Sequence, residues 1–445
     1  MRGEKEIRTI LERVLSLSKA DQTEVLYVGG DTHLTRFANS HIHQNVSESN
    51  AELRVRVAVG KRIGVASTND LSANGLGKAV ESAQMIARFQ PERPDFRSLP
   101  EPSPIASVAS FSEATASFSP EDRARAVGLI CKRAKSAKLI ASGAFTTAQR
   151  GRAIANSLGV FAYYPSTFAD LNMVIMGEDS SGYASRTAWD VRKIGADQAG
   201  HEAVDKALRS RTPGGIEPGA YTVILEEYAV AEMVRYLSYL GFGALAVQEG
   251  RSFMAGKFGQ QIVDSRISIV DDGLDATGLP VPFDFEGVPK QRVAIIKNGI
   301  ANAVVYDSYT AQKEGKKSTG HSRPAPNTSG PFAGNLFMSV GNSSKEEMLK
   351  STEKGLWVTR FHYVNPVHPL KAVLTGMTRD GTFLIENGQL TRAVRNLRFT
   401  QSMLDALSNV ELIGDKAQVE SGFLGAICVP ALKIHDFHFT GVTEF

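Results

Sequence analysis

Apolar side chains recur along this chain at two different spacings, and the changes of spacing mark its elements. Between positions 4 and 19, Ile7, Ile10, Leu11, Val14 and Leu17 fall three or four residues apart, which predicts an amphipathic helix. Val25–Val28 follows as a short strand. Leu53, Val55, Val57 and Val59 then alternate with Glu52, Arg54, Arg56 and Ala58, the period of two expected of a half-buried strand. Gly60-Lys61 supplies a turn, and Arg62–Ser67 returns as the hairpin partner. Positions 70–89 predict a helix with Ala79, Ala83, Met85 and Ile86 on its buried side. Five prolines between 91 and 118 make that stretch an extended connector. Ser119-Pro120-Glu121-Asp122 then starts a helix to about 137: serine caps, proline suits the first turn, and the acids face the positive end of the dipole.

Strands are expected over 139–148, 152–156 and 161–176, with a turn at Asn156-Ser157-Leu158-Gly159 and a helix over 197–209. Beyond Arg211 the pattern changes. Tyr221–Leu225 predicts a buried strand and Tyr228–Leu240 a helix. Residues 260–440 are rich in short β segments and glycine turns, with helices only near 344–352 and 399–408. The expected class is therefore α+β. An N-terminal domain, 1–212, has an antiparallel sheet with flanking helices and contains the connector. A C-terminal domain, 213–445, is mostly antiparallel β with a few helices.

Composition narrows the function. Fifty lysines and arginines against 47 acids give a net charge of +3, so nucleic acid and membrane surfaces are not indicated as partners. No apolar run is long enough to span a bilayer. Two cysteines, Cys131 and Cys428, build no disulfide framework, and no signal-peptide core follows the N-terminus, so cytoplasm is the expected compartment.

The sequence contains no Gly-x-Ser-x-Gly elbow, no phosphate-binding loop and no Cys-x-x-Cys. His201-Glu202 opens like a zinc-peptidase helix, but positions 205 and 206 are Asp and Lys where a second histidine belongs, so an ordinary surface helix is expected. Glu226, Glu227 and Glu232 gather at a strand–helix junction, where acids suit the helix dipole. Glu227 and Glu232 lie roughly 140° apart around a regular helix and cannot chelate one ion unless it unwinds. His435 and His438 are expected on opposite faces of a strand, His362 and His368 in a loop, and Cys428 as a packed apolar side chain. His321, after Ser318-Thr319-Gly320, is a candidate to meet substrate.

Several blocks together resemble one family. They are Arg36-Phe37-Ala38-Asn39 with Ile42-His43-Gln44, Ile216-Glu217-Pro218-Gly219 with the strand and helix after it, and Ser252-Phe253-Met254-Ala255-Gly256-Lys257. Glu286-Gly287-Val288-Pro289, Ser318-Thr319-Gly320, the run from Arg379 to Gly388 and Pro430-Ala431-Leu432-Lys433 complete the series. In this order they resemble the TldD/PmbA peptidases, also described as modulators of DNA gyrase. The resemblance implies an intracellular zinc peptidase acting on unfolded or modified peptides, often a heterodimer of a TldD and a PmbA (TldE) chain. The catalytic chain carries a His-Glu-x-x-x-His helix and a later cysteine ligand. Here Glu227 and Glu232 stand at the histidine positions, Tyr228 at the glutamate, and no cysteine occurs over 415–421.

The resemblance thus implies a PmbA/TldE-type chain with no metal or other cofactor of its own, and zinc in a TldD-type partner. It also marks Ser252, Phe253, Lys257, Ser318, Thr319 and His321 as substrate-cleft candidates. A tyrosine, with an ordinary pKa near ~10, is a poor base for a water proton at neutral pH. Two other readings stay open: an autonomous homodimeric metallopeptidase with ligands such as Glu227, Glu232 and His321, and a non-proteolytic binding protein acting on a large partner such as gyrase.

Overall fold

Alternating apolar residues build the first half around one antiparallel sheet. The computed structural model describes residues 1–422 and 425–443, so positions 423, 424, 444 and 445 of the second expected domain lie outside the described residues. The sheet contains β1 (Gln22–Ala38), β2 (His41–Val59), β3 (Arg62–Thr68), β4 (Ile140–Asn156), β5 (Phe161–Met176) and β6 (Ser181–Ala188), ordered β3-β2-β1-β4-β5-β6. Its helices are α1 (Glu4–Leu17), α2 (Ala73–Phe89), the single turn α3 (Glu113–Ala116), α4 (Pro120–Ser136) and α5 (Ala196–Arg209). Ser119 caps α4 in a reciprocal box with Asp122, as its sequence predicts.

Several expectations are corrected here. The strands at 139–148 and 152–156 are one strand, because Arg150 and Gly151 keep their pairing with Gly30 and Gly29 although the apolar alternation lapses. Met85 and Ile86 are 61% and 38% exposed, since the buried stripe of α2 runs through Leu76, Ala79, Val80, Ala83 and Ala87 instead. The helices α1, α2, α4 and α5 all pack on one face of the sheet, against Val25, Val55, Phe145 and Leu171 among others. The opposite face presents Leu26, Ile154 and Tyr164 to the second half of the chain.

That half holds β7 (Gly219–Leu225), α6 (Glu227–Gly241), α7 (Ala244–Gln248), β8 (Ile269–Asp271), β9 (Val293–Lys297), β10 (Ile300–Ala301), α8 (Ser308–Lys313) and β11 (Asn335–Met338). After these come α9 (Lys345–Lys350), β12 (Lys354–His368), β13 (Val373–Glu386), β14 (Gln389–Ala393), β15 (Leu397–Ser402), α10 (Met403–Ser408), β16 (Val410–Gly422) and β17 (Gly425–Val442). The sheet is mixed: β7 runs parallel to β12, and β11 to β17. Because β7 also pairs with β17, the strands β17, β15, β13, β12 and β7 close on themselves, which removes free edges. Phe361, Phe399, Phe437 and Phe439 stack within the core of this half, with neighbouring ring centroids 4.5 to 5.7 Å apart.

Three sequence expectations give way to these long strands. The helix expected over 399–408 is a strand to Ser402 followed by one short helix, since Phe399 and Gln401 face inward at a period of two. His362 and His368 lie within β12 rather than a loop. A left-handed Asp436 breaks the alternation of β17, and His435 and His438 are both exposed. Together the two halves form an α+β fold. No helix among the described residues is long and apolar enough to cross a membrane.

A buried charge triplet docks the second half onto the first sheet. The Arg56 guanidinium donates to Glu24 at 2.5 Å and to Glu286 at 2.9 Å, all three side chains being largely buried. Beside it Gly287, at φ +77, sits so close that a Cβ would meet Val160 at 2.7 Å and Ile154 at 3.0 Å. The Tyr164 hydroxyl reaches the Pro280 carbonyl, and Trp189 Nε1 donates to Ala276 at 2.9 Å. Replacing Arg56 with methionine would leave two carboxylates buried without their cation, with an expected loss of about 3–5 kcal/mol in chemical denaturation. Adding Glu24→Gln and Glu286→Gln should recover most of it. A single variant within ~0.5 kcal/mol of the parent would contradict this account.

Candidate functional site

The strand β7 ends at Leu225, and Glu226 turns the chain into α6 with Glu227, Tyr228 and Glu232 on its first turns. The residues are set by ordinary causes: a buried aliphatic strand, an acidic entry to the helix, then an apolar helix whose Ala229, Val230, Met233 and Val234 are fully buried. Contrary to the helix-surface expectation, Glu226 and Glu227 are buried. Each carboxylate of this junction has a protein cation or donor beside it. Glu226 accepts from Lys206 Nζ at 2.6 Å and from Trp357 Nε1 at 2.5 Å. Glu227 pairs with Lys345 at 3.1 Å, and Glu232 with Arg235.

The helix of His201 and Glu202 is also more than a solvated surface. Glu202 accepts from Lys206 Nζ at 2.7 Å, from Arg186 at 2.6 Å and from the Tyr228 hydroxyl at 3.0 Å. Arg186 donates in turn to the Tyr228 oxygen at 2.9 Å. Burial opposes the charge on Glu202, but Lys206 and Arg186 outweigh it and hold the carboxyl at about 2. Burial likewise opposes the Lys206 charge, and Glu226 with Glu202 overcomes it, raising the ammonium above its ordinary value. Burial pushes the Tyr228 phenol upward, so it stays protonated at neutral pH and works as a hydrogen-bonding group rather than a base.

Two cavities flank α6. One of about 460 Å³ is lined by Arg186, Glu227, Lys345, Asp415, Lys416 and Gln418. The structure thus brings Glu227 and the 415–418 segment to one cavity. Glu232 instead lines a second cavity of about 500 Å³ with Arg235, Tyr236 and Tyr239. The helix stays regular, so its two glutamates face different spaces. This donor set does not fit zinc: it offers carboxylates and a phenol, already engaged by Lys345, Lys206, Arg186 and Arg235, and no nitrogen or sulfur ligand. Among the described residues no group of three or more His, Cys, Asp or Glu side chains is placed to hold a metal ion.

The cleft candidates are corrected in part. Ser252 and Phe253 are both 1% exposed. The Ser252 hydroxyl donates to Gly241 at 2.8 Å, and Phe253 packs edge-on against Phe242 with centroids 6.0 Å apart. They brace the end of α6 and do not reach solvent. Lys257 is half-buried and lines neither cavity beside α6. Ser318 and Thr319 bond the backbone of Tyr306, and His321 is buried between Thr319 Oγ1 at 2.9 Å and Asp271 Oδ1 at 2.8 Å. Burial, and then Lys290, lower the His321 pKa, so the ring is neutral and structural. The run Thr319–His321–Asp271 has the order of a nucleophile relay. It is closed to substrate because His321 is 1% exposed and Thr319 Oγ1 already accepts from the Tyr306 amide at 2.7 Å. Cys428 is half-buried, and burial pushes its thiol up to about 11.

Sequence reasoning missed Arg186, Lys206, Lys345 and Glu420. The one available signal was Glu202 and Lys206 four apart on a helix, a spacing that brings side chains together. Glu420 is buried, accepting from Ser185 Oγ at 2.7 Å and Gln418 Nε2 at 2.5 Å, and burial pushes its carboxyl up to about 7.

The chain matches the three domains of one family: the PmbA/TldA metallopeptidase domain 1 over residues 23–87, its central domain over 100–211, and its C-terminal domain over 218–441. It is 26% identical to the metalloprotease PmbA of Escherichia coli O157:H7, covering 97% of this chain and 95% of that one. Identity to the PmbA homolog of Haemophilus influenzae is also 26%, over 97% and 96% of the two chains. TldE from Thermococcus kodakarensis shares the fold with a TM-score of 0.88 at 19% identity, over 98% of this chain and 100% of that one. A putative modulator of a DNA gyrase from Thermotoga maritima gives the same TM-score, identity and coverage.

The Glu420 carboxyl makes the site sensitive to pH in a defined direction. Its folded pKa, about 7, lies above the ordinary 4.5, so across that window the unfolded chain releases a proton that the folded chain keeps. Stability should therefore fall as pH rises from 4.5 towards 7 on account of this group. Glu420→Gln is expected to match the parent near pH 4.5 and to exceed it at pH 8 by on the order of 2 kcal/mol in urea denaturation. Parallel curves for the two proteins at both pH values would count against it.

Proposed function

This chain belongs to the PmbA/TldD metallopeptidase family, and we propose that it serves there as a TldE-like subunit, without metal of its own, of a TldD-type zinc peptidase acting on unfolded or modified peptides. The observation that carries this reading is the set of cations around α6. Lys345, Lys206, Arg186 and Arg235 occupy the surroundings in which a zinc chain would need neutral histidines and an open coordination position. A bound divalent ion would meet four positive side chains there, and a neutral Tyr228 offers no base to a water molecule.

The fold nevertheless keeps a peptidase-like shape over nearly its whole length, as the likeness to TldE of Thermococcus kodakarensis supports. A scaffold retained without the chemistry fits a chain that completes another subunit's cleft. Strand addition is the expected mode of peptide binding, since backbone pairing accepts many sequences. The zinc and the water-activating glutamate then belong to the partner.

The test has two arms. Elemental analysis of the purified chain should find no stoichiometric zinc, and the chain alone should cleave no unfolded protein. Co-expression with a paralogue carrying His-Glu-x-x-x-His should yield a heterodimer burying more than ~1,200 Å² in total. Its peptidase activity should need both chains and vanish when the paralogue's histidines are replaced. About one zinc per chain with chelator-sensitive cleavage would instead establish an autonomous peptidase. Two chains eluting separately, or a paralogue fully active alone, would remove the subunit reading.

A further inference from the structure

Between the first sheet and the second half lies a cavity of about 660 Å³ whose walls carry an excess of positive charge. Arg150 and Arg152, two apart on β4, project from one face of the strand into it, and Lys290 and Arg323 line it from the other side. Among the described residues no carboxylate forms an ion pair with Arg150, Arg152 or Arg323. Arg152 instead lies over the Phe285 ring at 3.9 Å and Arg150 over Phe168 at 5.3 Å. Stacking of this kind holds a guanidinium plane while leaving its N–H edge free. Lys290 has its nearest carboxylate, Asp271, at 3.8 Å, and Asp271 is already bonded to His321 and to the Asn335 amide.

The remaining acid on the wall, Asp284, attracts Arg152 and Lys290 but, among the described residues, forms an ion pair with neither. It accepts three backbone N–H bonds, from Ser322, Glu286 and Val288, at 2.8 to 3.0 Å. Burial, with Glu286 adding to it, pushes its carboxyl well above the usual range. Burial lowers the pKa of Arg152 against the opposing pull of Tyr164 and Asp284, and the neighbouring Arg150 adds to the lowering. Burial also lowers Lys290 against the pull of Asp271 and Asp284, with Arg152 contributing to the lowering. Cations gathered at mutual cost, and stacked so that their donors face a space, are the arrangement of an anion site whose anion comes from outside.

We propose that this cavity binds a carboxylate carried on an extended peptide, with Arg150, Arg152, Arg323 and Lys290 taking the anion and Trp189 and Phe285 the apolar residue beside it. The planar fork of a guanidinium matches a carboxylate. A small free ion would leave most of the volume and the aromatic wall unused, whereas the cavity falls within the range of sites that enclose organic ligands. The inference rests on the peptide-handling part of the proposed function only for the expectation that the anion arrives on a peptide.

Calorimetric titration of the isolated chain tests it without a partner or turnover, so loss of the heterodimer reading would leave the result intact, and the reverse. The probe is an N-acetylated alanine-rich hexapeptide ending in phenylalanine, with a free C-terminal carboxylate. Its comparators are the C-terminal amide, the amide with an internal glutamate, and inorganic phosphate. The free acid should bind at least tenfold tighter than the amide, and the preference should shrink with added salt and be lost in Arg150→Gln/Arg152→Gln. Arg323→Gln, on a loop, provides a second variant should the double variant fail to fold. If the internal-glutamate amide binds as well as the free acid, the site stands and side-chain carboxylates supply the anion. Equal binding of acid and amide, a preference that survives in the folded variants, or phosphate binding as tightly as the peptide would overturn the proposal.

Discussion

One ammonium group, Lys206 Nζ, holds the centre of this molecule together. It sits between Glu202 on its own helix at 2.7 Å and Glu226 at the entry to α6 at 2.6 Å, and so joins the helical layer of the first sheet to the strand–helix junction of the second. A buried ion pair of this kind contributes less to net stability than its Coulomb energy suggests, since both charges leave water. Its value is positional. With Arg186 bridging Glu202 and Tyr228, it fixes the register of α5 against α6 and so fixes where Glu227 and the 415–418 strand face each other.

The same logic divides the first sheet into two faces with different tasks. The helix-covered face is apolar and carries the core of this half. The other face meets the second half through a smaller apolar cluster and through charges: Arg56 is ion-paired there to Glu24 and Glu286, whereas Arg150 and Arg152 stack on aromatic rings and, among the described residues, form no ion pair. Paired and unpaired guanidinium groups on one surface differ in what they can do. The first docks the two halves, and the second leaves a positive field over the cavity between them.

How much of this was legible follows from where the information lies. Leu53–Val59 announced its strand because one side of it is buried and the other half-exposed, and Ser119-Pro120 announced α4 because capping is local. The outer part of β2, from His41 to Asn50, is exposed throughout and shows no apolar alternation, although its pairing with β1 is continuous to Gln44. His321 and Ser252 read as polar residues in motif-like runs and therefore as cleft candidates, yet their partners, Asp271 and the Gly241 carbonyl, are supplied by tertiary contact. Glu227 read as a helix-surface acid because Lys345 is more than a hundred positions away. The resemblance placed Glu227 and the 415–421 segment at one site; the cations that surround them could be found only by folding the chain.

Those cations also bear on how far this site stands from a metal-binding one. Restoring histidines at 227 and 232 and glutamate at 228 would recover the motif but not the environment. A divalent ion beside Lys345, Lys206, Arg186 and Arg235 would be opposed at short range in a partly dehydrated space. Replacing Tyr228 would also leave Arg186 and Glu202 without a hydroxyl to bond, and a glutamate in its place would crowd Glu202. The cations around these positions come from α5, α6, α9 and β6 together, so a change confined to the three motif positions would not remove them. In the proposed reading, fixed ammonium and guanidinium charges stand here where a TldD-type chain would hold its ion. Such charges cannot open a coordination position for water, and on that proposal the step that cuts a peptide would fall to a partner chain.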